Sequence, residues 1–522
     1  MKECVKEQSL YEAFLNAAKE YPNDVALQFF HFKLSYNELL YKVNQFAQGL
    51  KELGLVQGDV ISLVLPNIPE AVYLLYGANQ LGIIVNPLHP KLPLNEIVHS
   101  IKLTKTKFIF CLNQRYAELN KQFHNVFSIN PFHERSVWHE IIGHKAHNKL
   151  IHSFYKKEPL RAYVHLSHED AVYLNSGGTT GIPKIVRLSS YAFNASAANY
   201  EWIVGTQKRS EIKILAVLPM FHGFGLTVGI HYALACGSRT VLFPKFNRKL
   251  TAKFVKKGDI SVLIGIPILF KKLLVEKEFN GRKLQNLKFA FVGGDFVTQK
   301  LQQDFDQRME ENGSKCRLQP GYGLTETLSI FSVNNYKYSK NGTVGLPFPN
   351  MDCLIVDEKM NPLPKGNEGQ LLVSGEVLMN GYIGEKEEFA TINGKRYLCT
   401  GDIMKMNDDG ALIYRQREKR VVKVSGIPVF PTEVEDQLMS LDFIYDCATI
   451  GVKDEKHDHI LKLFVVVQRN NKLPQEEVEK RIRQCILENV GIYALPKEIV
   501  YIRQIPKTLV GKIDVKLLSK EE

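Results

Sequence analysis

The chain has 522 residues, 45% of them hydrophobic and 23% charged, which is too long for one small core and predicts a globular protein of two or more domains. The net charge of +12, from 67 Lys+Arg against 55 Asp+Glu, reads as a solvated basic surface open to anionic ligands, and nothing resembles a basic arm for nucleic acid. Eight scattered cysteines with no C-x-x-C pair argue against a disulfide framework and for reduced thiols in a cytoplasmic setting.

In chain order, the N-terminus through Gln8 is too charged for a signal peptide. Ser35 and Glu38 have the S-x-x-E spacing of a capping box. Leu39, Val43, Phe46, Leu50 and Leu53 follow at helical spacing, with Gly54 as the stop. A buried strand over 60–65, a helix over 70–80 and a strand over 83–85 give the βαβ alternation of a parallel sheet. The uncharged stretch 71–89 is then a helix followed by a strand, not a membrane span. A further helix (94–103) and strand (108–111) come next.

Residues 112–168 are histidine-rich. The nearest approach to a metal motif, His139-Glu140 with His144, spaces its histidines five apart instead of the four that share a helix face. Exposed histidines are expected there, and no metal site.

Residues 173–189 hold the densest chemistry. A strand enters a loop of Ser176, Gly177, Gly178, Thr179, Thr180 and Gly181, and Lys184 precedes a strand over 185–188. Three glycines free backbone N–H groups to converge, two threonines add donors and the lysine adds charge, a composition suited to a polyphosphate. It is not a Walker loop, because Ile182 and Pro183 separate Gly181 from Lys184 and a strand follows instead of a helix. By itself the stretch is equally an ordinary hairpin turn.

Farther on, the strand 214–218 runs into Pro219-Met220-Phe221-His222, placing His222 where α/β sheets bind ligands, although a core histidine is the commoner fate. A strand at 289–292 ends in Gly293, Gly294 and Asp295, where a backbone can approach a flat ligand. Tyr322, Gly323, Thr325 and Glu326 offer an aromatic ring, a hydroxyl and a carboxylate suited to a base, a phosphate and a hard cation. From Asn341 the pattern turns to strands. Asp402, expected at a strand end, suits the two hydroxyls of a ribose. Five charges in residues 415–420 read as an exposed linker. Beyond it, Thr432 and Glu435 read as a second capping box, opening a helix in a domain of about a hundred residues.

The ordered set Ser176 to Lys184, Pro219 to His222, Tyr322 to Glu326, Tyr397 to Asp402, Arg417 to Gly426 and Pro506 to Lys512 resembles the adenylate-forming (AMP-binding) superfamily, closest to acyl-CoA synthetases of fatty or aryl acids. The resemblance covers nearly the whole chain. It implies an α/β fold with a large N-terminal domain of layered α/β sheets plus a β-rich subdomain (1–415), a hinge linker (416–420) and a small mobile α+β C-terminal domain (421–522).

It further implies a cytoplasmic ligase that uses ATP and Mg2+ to turn a carboxylic acid into an acyl-adenylate and passes it to the thiol of coenzyme A. By resemblance Thr179, Thr180 and Lys184 hold phosphates, Thr325 and Glu326 serve phosphate and Mg2+, and Tyr322 with Gly293, Gly294 and Asp295 faces adenine. Asp402 and Arg417 hold ribose. Lys512 bridges the carboxylate and the α-phosphate, Lys419 marks the hinge, and Lys423 and Gly426 replace Lys512 at the site for the second step. His222, where amino-acid-activating relatives place an aspartate, implies an acid without an α-amine.

The chain ends ten residues after Lys512, so the acceptor is expected to be CoA or a separate acyl carrier protein. Ile185, Ser190 and Gln416 depart from the family's usual glycine, histidine and glycine. The alternative function is a catalytically weak scaffold that binds nucleotide.

Overall fold

The computed structural model describes residues 7–129, 153–176, 184–386, 389–454, 458–508 and 513–520. The strand Val60–Val64, flanked by Ile84–Pro87 and Phe108–Leu112 in parallel, lies inside a seven-stranded sheet whose central strand is Ile84–Pro87. Asp170–Asn175 extends it in parallel, and Ile185–Ser189 and Gly381–Tyr382 close that edge antiparallel. The capping box at Ser35 and Glu38 is formed, each side chain reaching the other's backbone N–H. Leu39, Val43, Phe46 and Leu50 of the helix Tyr36–Glu52 are fully buried. The uncharged stretch forms the helix Pro69–Gln80, buried on every side, and the strand Ile84–Pro87. No helix among the described residues is long and apolar enough to cross a membrane.

A nine-stranded sheet carries Leu318–Gly323, Phe289–Val292, Val262–Gly265, Lys213–Ala216, Arg239–Leu242 and Val25–Phe29 in parallel, with antiparallel strands at its edges. One hydrophobic core fills the space between the two sheets. A second lies under the helices Arg248–Lys257, Pro267–Leu274 and Gln299–Glu311.

A five-stranded antiparallel sheet follows, in which Leu412–Arg417 pairs with the long strand Lys395–Met406. Gln416 and Arg417, read as linker residues, are therefore part of a strand, and Gln416 is fully buried. The last unit is a sheet of Ile444–Asp454, Asp458–Val467, Val422–Val424, Ile427–Val429 and Glu498–Tyr501 with its own core.

The helix Pro431–Leu438 begins where expected, but not by a capping box. No side chain caps it. The Thr432 hydroxyl instead donates to the Arg415 carbonyl at 2.8 Å, and Glu435 turns to Arg420 and the Thr449 amide. Long-range partners took both side chains from the local motif. None of the seven described cysteines is in a disulfide, and no metal-holding group of His, Cys, Asp and Glu occurs among the described residues. His124, His165 and His168 are exposed, while His139 and His144 lie outside the described residues.

Candidate active site

The strands Asp170–Asn175 and Ile185–Ser189 run antiparallel, and their ends are clasped. The Ser176 amide donates to the Lys184 carbonyl at 2.8 Å, and the Lys184 amide to Ser176 Oγ at 3.2 Å. Gly177, Gly178, Thr179, Thr180 and Gly181, between them, lie outside the described residues. Lys184 Nζ is 3.2 Å from Glu385 and 4.8 Å from the centre of the Tyr382 ring. Tyr382 pairs with Val186, and its hydroxyl donates to Glu326 Oε1 at 2.9 Å. The Met379 amide holds the Glu326 carbonyl at 2.9 Å. Lys184 and Glu326, 142 positions apart in the chain, thus meet on one tyrosine. Tyr382 and Glu385 escaped the sequence reading because only sheet pairing across the fold brings them there.

A second cluster forms around Asp402. It is 2% exposed and sits inside the strand Lys395–Met406, not at a strand end as expected. Gly401, at φ +65°, kinks the strand without ending it. Tyr322 Oη donates to Asp402 Oδ2 at 2.6 Å, and Arg417 Nε approaches Oδ1 at 3.3 Å. Arg417 also donates to the Thr400 carbonyl at 2.9 Å. Burial, and then the Asp402 charge, push the Tyr322 phenol well above its ordinary pKa. Burial opposes the Arg417 charge, yet Asp402 and the two neighbouring tyrosines hold its pKa above the usual value. Tyr414, which carries no motif, packs its ring 6.1 Å from that of Tyr322.

Three loops interlock through their backbones. His222 is half-buried, its Nδ1 accepts from the Phe224 amide at 3.3 Å, and a wholly buried eight-residue π-helix, Gly225–Tyr232, follows. Such segments concentrate at functional sites. A Cβ at Gly223 would lie 1.8 Å from the Leu328 carbonyl oxygen, and one at Gly323 only 1.7 Å from that of Ser329. Leu328 itself is held at φ +65°. Gly293 faces the Gly321 carbonyl, and Asp295 is exposed beyond the turn. Thr325 is half-buried, its carbonyl accepting from the Leu328 amide.

Lys423 and Gly426 occupy an exposed hairpin of the small unit. Among the described residues no hydrogen bond or ion pair joins them to these clusters. Lys512 lies outside the described residues. Between the units is a cavity of about 70 Å³, lined by Ile266, Lys271, Phe296, Arg420, Asp446 and Lys507.

The departures from the family pattern have structural uses. Ile185 is buried in its strand. Ser190 Oγ accepts from the Leu10 amide and from Asn79. Gln416 Oε1 accepts from the Thr432 hydroxyl at 3.2 Å, joining the large unit to the small one.

The sequence model described as AMP-binding enzyme matches residues 14–383, and that of the AMP-binding enzyme C-terminal domain matches 433–512. A long-chain-fatty-acid–CoA ligase of Bacillus subtilis is 28% identical over 541 residues, covering 99% of this chain and 95% of its own. A 4-coumarate–CoA ligase-like protein of Arabidopsis thaliana is 28% identical over 500 residues, covering 94% and 86%. Among solved structures, an ATP-bound RpMatB-BxBclM chimera superposes with a TM-score of 0.88 at 20% identity over 98% of each chain. The anthranilate CoA ligase AuaEII with anthranoyl-AMP gives 0.85 at 20% identity, covering 99% and 97%. At that identity the structural likeness speaks for the fold.

Proposed function

The chain belongs to the AMP-binding enzyme family, and from that premise we propose that it joins an apolar carboxylic acid without an α-amine to coenzyme A through an acyl-adenylate. The observation that carries this reading is the meeting of Lys184, Tyr382 and Glu326 beside the clasped strand ends at Ser176 and Lys184. A cation and a carboxylate fixed on one ring are what a triphosphate and its metal require.

In the first step a carboxylate oxygen attacks the α-phosphorus, an O–P bond forms, and the bond to pyrophosphate breaks. Lys184 would offset charge on the leaving phosphates. Asp402 is suited to accept from the ribose hydroxyls, with Tyr322 and Arg417 fixing its carboxylate. Glu326 fits Mg2+, since Tyr382 takes Oε1 and, among the described residues, the second hard oxygen is left open. Bound there, the ion would neutralise developing phosphate charge. Lys512 is assigned to the space between carboxylate and α-phosphate. In the second step the thiol sulfur attacks the acyl carbon, the S–C bond forms, and AMP leaves. Lys423 and Gly426 are assigned to that step, with the small unit turned about Lys419.

His222 supports an acid without an ammonium group, because a half-buried imidazole offers no fixed negative charge to pair with one. The test is incubation with ATP, Mg2+, CoA and a panel of fatty, aryl, steroid and dicarboxylic acids, read by mass spectrometry. Acyl-CoA from an apolar class, lost in Lys512→Ala, is expected. Adenylate without thioester would move the acceptor to a carrier protein. Nucleotide binding without any product would replace the enzyme by a scaffold.

A further inference from the structure

Most of the chain's excess charge is gathered in one place. Residues 245–288 carry twelve Lys and Arg against three Asp and Glu, a net of +9 out of the whole chain's +12. The three carboxylates are half-buried and turned to basic neighbours, Asp259 to Lys33, Glu276 to Arg248 and Glu278 to Lys256. Every exposed charged residue of the stretch is therefore a cation.

The fold arranges these cations on one outer layer. In the helix Arg248–Lys257, Ala252, Phe254 and Val255 are buried against the sheet, while Lys249, Lys253 and Lys257 stand exposed at i, i+4 and i+8. That spacing places them on one ridge. Asn286 binds the carbonyls at the helix's C-terminal end, at 3.2 and 3.1 Å from Val255 and Lys256, bringing the exposed Lys277, Arg282 and Lys283 segment alongside. Val275, 68% exposed, lies in the same segment.

Like charges four residues apart repel, and other surface helices of this protein offset them. Lys300 faces Asp304 and Arg481 faces Glu477. Among the described residues the Lys249 ridge has no such offset.

We propose that this face docks on the surface of an anionic lipid bilayer. A cluster of this size is complementary to the negative potential of such a surface. Seven of the nine exposed cations are lysines, mobile point charges that suit a fluid array of headgroups. A folded acidic partner would favour the fixed fork of arginine. The apolar Val275 supplies a side chain that enters the interface. Docking would set the enzyme where an apolar acid partitions. That consequence rests on the apolar-acid reading, whereas the docking itself does not.

The test is co-sedimentation of the full-length protein, without substrates, with phosphatidylcholine vesicles that contain or lack phosphatidylglycerol. The protein is expected to pellet with the anionic vesicles only, and to be released by high salt. The triple variant Lys249→Glu, Lys253→Glu, Lys257→Glu should weaken binding about a hundredfold. So should Lys277→Glu, Arg282→Glu, Lys283→Glu, which leaves the helix untouched. The equal charge change at Lys51, Lys472 and Lys480, which are exposed elsewhere, should retain binding, with circular dichroism reporting the fold of all three. Equal binding to both vesicle types, equal loss in the displaced control, or capture of an acidic carrier protein in place of vesicles would overturn the proposal.

Discussion

The carbonyl of Leu328 lies against Gly223 so closely that a methyl group there would sit 1.8 Å from its oxygen. Leu328 holds an uncommon left-handed backbone, φ +65°, in making that contact. The loop bearing Thr325 and Glu326 is thereby keyed to the loop bearing His222. Gly223→Ala must force them apart, and a loss of about 3 kcal/mol in stability is expected. Denaturant unfolding and adenylate formation should both suffer, and a variant that keeps both would show that the two loops are not keyed.

Asp402→Asn is expected to raise the KM for ATP by about ten- to a hundredfold, because a charged acceptor becomes a neutral amide. Tyr322→Phe, which removes the 2.6 Å donor, should produce a smaller effect of the same kind. Steady-state kinetics with varied ATP checks both. An unchanged KM in Asp402→Asn would remove this residue from the nucleotide site.

Tyr382 separates two roles in one side chain. Tyr382→Phe keeps the ring beneath Lys184 and deletes the hydroxyl that orients Glu326. Its cost should appear as a raised Mg2+ requirement of about fivefold, corresponding to ~1 kcal/mol for one hydrogen bond. Tyr382→Ala should cost more. Titrating Mg2+ at fixed ATP distinguishes the two, and identical curves for wild type and Tyr382→Phe would detach the tyrosine from metal binding.

The two assigned lysines should divide the reaction. Lys512→Ala should slow adenylate formation by at least about a hundredfold, yet still convert a supplied acyl-adenylate to thioester. Lys423→Ala should impair the second step more than the first. Pyrophosphate exchange and single-turnover thioester formation read the steps separately, and equal losses in both would reject the division.

His231 ties stability to pH. Wholly buried, it accepts from the Tyr76 hydroxyl at Nδ1 and donates from Nε2 to Asn194, and burial lowers its pKa from 6.5 to about 3. Between those values the unfolded chain binds a proton that the folded chain excludes. Stability is therefore retained above 6.5 and falls as pH drops below it, by about 2 kcal/mol at pH 5. Equilibrium unfolding across this range should show the slope flattened in His231→Gln. Parallel slopes would assign the acid sensitivity to other groups.

Much of this molecule is written locally. The capping box at Ser35, the apolar spacing of the helix it opens and the βα alternation around Val60 need only neighbouring residues. The charge-bearing positions of the candidate site, Lys184, Glu326, Asp402 and Arg417, stand out for the same reason: each lies in a short, chemically dense run. Tyr382, Glu385 and Tyr414 do not, since their importance comes from partners far along the chain. Thr432 and Glu435 mislead in the opposite direction, with a valid local pattern overruled by Arg415 and Arg420. Asp402 reads as a strand end because a single glycine bend resembles a stop in sequence, although pairing resumes beyond it.

Around Lys419 the chain is fastened on both sides. Arg417 is held by Asp402 and Thr400, and Glu418 by Gln370 at 2.9 Å, all in the large unit. Arg420 is held by the buried Glu435 of the small unit, also at 2.9 Å. While both fastenings persist, a swing of one unit past the other must release the Thr432 bonds to Arg415 and Gln416 and then draws chiefly on the φ and ψ of Lys419. Two angles give a narrow range of arrangements. A proline at 419, fixing one of those angles, would reduce that range to rotation about the other.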